Sequence, residues 1–71
     1  MAVNFEIEKH IAKLGKPSRD GFTKELNLVS WNNRKPKYDI RPWDESHSLC
    51  QKGITLSDEE MEDLKTALSN L

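Results

Sequence analysis

The run Arg34-Lys35-Pro36-Lys37-Tyr38-Asp39-Ile40-Arg41-Pro42-Trp43 constrains the fold of this chain more than any other stretch. Lys35, Lys37, Asp39, Arg41 and Trp43 share one parity, and Tyr38 and Ile40 share the other. Alternate side chains of a strand project to opposite faces of a sheet. The pattern therefore predicts a strand from Lys37 to Trp43. One side of it gathers cations and an aromatic ring, and the other offers apolar groups to a core. Pro36 and Pro42 lack backbone donors, which points to an edge strand or a locally irregular one. Cations beside a flat ring suit a single-stranded nucleic acid, because the cations meet phosphates and the ring meets a base. The bland alternative is a surface strand with solvated charges.

Strand patterns precede this run. Phe5, Ile7 and Ile11 alternate against Glu6, Glu8 and His10, so a strand is expected from Val3 to Leu14. A helix is the competing reading, since Ile7, Ile11 and Leu14 also fit a 3.6-residue period; the β-branched and aromatic content favours the strand. Gly15 to Gly21 reads as a turn or loop carrying Lys16 and Arg19. Thr23 to Trp31 reads as a second strand, with Leu26 and Leu28 on one side and Glu25, Asn27, Val29 and Trp31 on the other. Asn32-Asn33 supplies the next turn, because Asn tolerates positive φ.

Beyond Trp43 the pattern changes. Asp44 to Gln51 is a polar loop, and Lys52 to Leu56 is a short fourth strand. Ser57 with Glu60 forms a capping box that opens a helix, and Asp58, Glu59 and Glu60 suit its positive end. Met61, Leu64, Leu68 and Leu71 form a narrow apolar stripe. Such a stripe packs on its own sheet or forms a seam between two chains.

Composition limits the function classes. A chain of 71 residues that is 35% apolar makes one domain, 1–71, with a modest core, for which oligomerisation is a common remedy. Cys50 is the lone cysteine, so no internal disulfide forms and a reducing compartment is expected. No apolar run approaches the roughly 20 residues that span a bilayer, and the first residues lack a signal-peptide core. A cytoplasmic protein with no membrane segment is the expectation. His47 and Cys50 have the spacing of half a metal site, but a structural zinc needs about four ligands. No metal, cofactor or catalytic constellation is expected, and the protein is read as no enzyme.

The net charge of −1 conceals segregation: residues 9–41 carry nine basic and three acidic residues, whereas residues 57–71 set Lys65 against five acids. A segregated positive region is the footprint of polyanion binding. The candidate nucleic-acid ligands are Lys13, Lys16, Arg19, Lys24, Arg34, Lys35, Lys37, Arg41 and Lys52. Trp31, Trp43 and either Phe22 or Tyr38 are the candidate stacking rings, and each tryptophan is also large enough to be a core residue.

Two passages, Asp39-Ile40-Arg41 in the third strand and Lys52-Gly53-Ile54-Thr55-Leu56-Ser57 leading into the helix, carry a family resemblance. With the order of four strands and one helix, the chain resembles the positive cofactor four family of transcriptional coactivators in its short bacterial or phage form. The resemblance implies an α+β fold, a four-stranded curved antiparallel sheet followed by one C-terminal helix (ββββα), assembled as a homodimer. It implies grooves for single-stranded DNA with little sequence preference. Arg41 matches the strand arginine that contacts the nucleic-acid backbone, Trp43 the aromatic after it, and Lys52 the lysine before the glycine. Pro42 departs from the pattern, leaving the segment between arginine and tryptophan one residue short. Met61, Leu64, Leu68 and Leu71 are the expected dimer seam. A sequence-tolerant, homodimeric single-stranded DNA-binding protein is the resulting reading, with a role in transcription, replication or repair. Single-stranded RNA binding, or an adaptor working through the C-terminal helix, is the alternative.

Overall fold

Antiparallel pairing in chain order organises the molecule. Strands β1 (Phe5–Leu14), β2 (Thr23–Trp31), β3 (Lys37–Trp43) and β4 (Ile54–Leu56) form one sheet in the order β1-β2-β3-β4, and helix α1 (Asp58–Ser69) follows. The computed structural model describes residues 4–71. The ββββα order agrees with the sequence reading; Val3 lies outside the described residues. Asn32 and Asn33 take φ of 53° and 64° in the β2–β3 turn. Arg34 N–H closes that turn on the Trp31 carbonyl at 3.0 Å, and Ser30 Oγ donates to the Arg34 carbonyl at 2.7 Å.

The sheet is strongly curled. Trp31 pairs with Phe5 at one end of β2, and Trp43 pairs with Thr23 at the other. On a flat strand Thr23 and Trp31 would stand about 26 Å apart. The Trp31 and Trp43 ring centroids are nevertheless 6.4 Å apart, and Phe5 lies 5.0 Å from Trp43. Curvature toward this face, bridged by long side chains, brings the two ends together.

Curvature also reverses the expected sidedness of β3. Burial is deepest on the side of Asp39 and Trp43, where Thr23, Glu25, Asn27 and Val29 of β2 join them. Tyr38 and Ile40, expected to face the core, are only half-buried, as are Leu26, Leu28 and Leu56. The concave side of a curled sheet closes over its own side chains, whereas the convex side needs another element to cover it.

Three further differences have local causes. Register shifts between Ile7 and Lys9, and between His10 and Ala12, interrupt the alternation of β1. Each bulge switches the parity, so Phe5, Ile7, His10 and Lys13 share the concave side, while Ile11 falls within a bulge and stays exposed. Strand β3 is interior rather than an edge, because β4 pairs with Tyr38, Asp39 and Ile40. Pro42 is tolerated because its backbone polar groups face the β4 side beyond that short ladder, where its carbonyl accepts from Gln51 N–H at 3.0 Å. Strand β4 begins at Ile54 rather than Lys52.

Helix α1 starts as the sequence predicts. Ser57 Oγ accepts from Glu60 N–H at 3.1 Å, and Glu60 Oε1 accepts from Ser57 N–H at 2.8 Å. The helix packs on β3 and β4 with Met61 and Leu64 half-buried. Leu68 is 56% exposed and Leu71 99%, so the described residues leave the rest of the stripe largely uncovered.

Candidate nucleic-acid interface

Beyond the β2–β3 turn, the end of β2 and the start of β3 frame an open cavity of about 450 Å³, lined by Trp31, Asn32, Arg34, Lys35, Lys37, Arg41 and Thr55. Five of the expected ligands, Trp31, Arg34, Lys35, Lys37 and Arg41, meet here. The tight Asn-Asn turn is what folds Arg34 and Lys35 back toward Trp31. Lys35 also lies 3.8 Å from Asp58 at the helix start, but both groups are largely exposed, so the pair holds it only weakly.

Arg41 is held on three sides. Its Nε donates to Asp39 Oδ1 at 2.6 Å, and Thr55 Oγ1 donates to Asp39 Oδ2 at 3.1 Å. Its guanidinium carbon lies over the Trp31 ring, 4.5 Å from the centroid. Burial works against the Arg41 charge, but the hydrogen bond and charge of Asp39, aided by the nearby Cys50 thiol, outweigh it and hold its pKa above the ordinary value. Gly53 sets the remaining wall: a Cβ there would collide with Arg41 Cβ and the Ile40 carbonyl oxygen. Only glycine lets the chain after Lys52 run this close to β3.

The other expected ligands lie elsewhere. Trp43 is 1% exposed, packed against Phe5, Trp31 and His47. A ring so enclosed offers no face to a base, so Trp43 is a core residue and not a stacking ligand. Lys24, opposite Pro42 and Leu14, shares the parity of Leu26 and Leu28 and so projects from the convex side, away from the cavity. Tyr38 is on that side too and lines a cleft beneath α1, and Phe22 is half-buried in the loop before β2. Lys13 lines a separate cleft of about 370 Å³ with Pro17, Gly21 and His47. Lys16, Arg19 and Lys52 are exposed in loops outside the cavity lining.

Sequence reading missed Asp39 as the orienting group, because a charge in a basic run reads as solvated, and it missed the polar centre beside Trp43. There Glu25, 2% exposed, and the fully buried Asn27 receive the two histidines. His47 Nε2 lies 2.9 Å from each Glu25 oxygen, His10 Nδ1 lies 2.7 Å from Asn27 Oδ1 and 3.4 Å from Glu25 Oε1, and Asn27 Nδ2 donates to Glu25 Oε1 at 3.0 Å. The bulges of β1 turn His10 inward, and a φ of 60° at His47 aims its ring. No group of three His, Cys, Asp or Glu among the described residues is arranged to hold a metal ion.

Burial raises the Glu25 pKa, but the Asn27 and His47 hydrogen bonds and the two imidazoles pull it down further, leaving it below the ordinary value. A depressed carboxylate contributes stability above its unfolded pKa and loses it as pH falls through the folded one. Thermal unfolding followed downward from about pH 5 will therefore show a loss of stability that Glu25→Gln lacks. Parallel pH profiles for the two proteins would contradict this role.

Residues 18–67 match the profile of the family described as Transcriptional Coactivator p15 (PC4). This chain belongs to the PC4 family. An uncharacterized protein of Treponema pallidum (strain Nichols) is 35% identical over 68 residues, spanning 96% of this chain and 79% of that protein. The PC4 family is known for single-stranded DNA binding and coactivation, and it is a non-enzymatic family. The curled sheet and following helix are the PC4 coactivator-like DNA-binding fold. Among the described residues no helix is long and apolar enough to cross a membrane.

Proposed function

We propose that this PC4-family chain binds single-stranded DNA with little sequence preference, as a homodimer and without enzymatic activity. The observation that carries the reading is the cavity in which Arg34, Lys35 and Lys37 surround the Trp31–Arg41 pair. Rim cations neutralise phosphates whatever the sequence, and a flat conjugated surface accepts any base. A duplex keeps its bases stacked inside and offers only its phosphates.

Dimerisation is supported by the convex side. Ile54 and Leu68 are exposed, and Leu26, Leu28 and Ile40 are half-buried. A cleft of about 580 Å³ between α1 and β1 holds Ile11, Tyr38 and Met61 among Lys9, Asp58, Glu62 and Lys65. A second copy supplies both the missing cover and a second cavity for the same strand.

Titration of tryptophan fluorescence with oligonucleotides tests the reading. Three rim cations from each of two protomers neutralise about six phosphates, which weakens binding roughly 300-fold between about 50 and 200 mM salt. Single-stranded DNA should bind more tightly than duplex at every salt concentration. Salt-independent affinity, tighter duplex binding, or no response to any oligonucleotide would overturn it, the last in favour of an adaptor. Tighter binding to single-stranded RNA than to DNA would move the ligand class to RNA.

A further inference from the structure

The Trp31 ring is already engaged by its own chain. The Arg41 guanidinium lies over it, 4.5 Å from the centroid. Trp43 lies on a plane inclined only 14° to it, and Phe5 packs against it at 5.9 Å. Trp43 is fully enclosed and Phe5 half-buried, so neither yields its place at low cost. Arg41 is equally fixed: Asp39, fully buried, holds its Nε at 2.6 Å and is itself held by Thr55. The Arg41 side chain nonetheless keeps 17% of its surface open, and it lines the cavity that Trp31 lines. A group entering there meets the guanidinium.

We propose that Arg41 is the base-stacking platform of this interface, a nucleobase lying on the guanidinium as the third tier above Trp31, while Arg34, Lys35 and Lys37 take the phosphates. Asp39 is the positioning residue, since it spends the Nε donor of Arg41 on orientation rather than on ligand. This assignment rests on the nucleic-acid reading above, and it changes the role that the family resemblance implies for Arg41 from backbone contact to base contact. A planar, delocalised cation is suited to this position and an ammonium is not: guanidinium is weakly hydrated and stacks on flat rings, whereas lysine remains a hydrated point charge. Partial cover by Trp31 strips further water from Arg41, so its open part is better matched to an aromatic base than to a hydrated phosphate.

Two ligands of equal length and charge separate the possibilities: an oligothymidylate and an abasic phosphodiester. The wild-type protein is expected to prefer the base-bearing strand by about tenfold or more. Arg41→Lys should keep the abasic affinity and the salt slope but lose most of that preference. An Arg41→Lys protein that matches wild type on both ligands, or that loses affinity equally on both, would overturn the platform. A second measurement needs no variant. In the wild-type protein, ring current from a stacked base should shift the Arg41 Hε resonance upfield with oligothymidylate and leave it in place with the abasic strand. Equal shifts with both strands, or none with either, would overturn it. If the wild-type protein binds neither strand, the nucleic-acid reading fails and the platform with it. Binding of both strands without preference removes the platform alone.

Discussion

Replacing Trp43 with alanine will cost about 3–5 kcal/mol of fold stability. The ring is 1% exposed and sits against Phe5, Trp31 and His47 at centroid distances of 5.0, 6.4 and 5.8 Å. A domain of this size has only about 4–11 kcal/mol in reserve, so the substitution removes much of it and lowers the melting temperature by about 12 °C or more. Trp43 also closes the sheet across its curl, because its ring meets Phe5 of β1 from the opposite end of β2. The molecules that remain folded at low temperature should still bind single-stranded DNA, because Trp43 does not line the cavity and Arg41 is held in it by Asp39. Calorimetry and DNA titration at one protein concentration check both halves of the prediction. A melting temperature within a few degrees of wild type, accompanied by lost binding, would return Trp43 to the interface.

Leu68→Asp should dissociate the proposed dimer while leaving the single chain almost untouched. In the chain alone Leu68 is 56% exposed, and surface substitutions of that kind stay within about 0.5 kcal/mol. In a dry seam between two helices the same carboxylate is unpaired and costs several kcal/mol, enough to weaken association about a thousandfold. The contrast between the two figures makes the test sharp. Sedimentation equilibrium across a range of concentrations reads the association directly, and circular dichroism reads the fold. Dissociation should also weaken DNA binding and roughly halve its salt slope, since one strand would then meet one cavity. A wild-type protein that sediments as a folded monomer at micromolar concentration would contradict the dimer, and so would a Leu68→Asp protein that associates normally.

The elements of this fold were legible because their signals are local. Alternation in Thr23–Trp31 and Lys37–Trp43 gives strands, Asn32-Asn33 gives the turn, and Ser57 with Glu60 gives the helix start. The Asp39-Ile40-Arg41 and Lys52-to-Ser57 passages, with the order of four strands and one helix, already resemble the PC4 family in sequence alone. Tertiary structure decided the side of burial. Parity separates Asp39, Arg41 and Trp43 from Tyr38 and Ile40, but it carries no sign, and a flat sheet could bury either set. Curl, which sums small twists and two bulges over four strands, buried the charged set and drew Trp43 from the ligand list into the core. The same curl carried His10 and His47, 37 positions apart in sequence, onto the Glu25–Asn27 pair. No periodicity within one segment encodes that meeting, because it depends on how far the ends of a sheet bend toward each other.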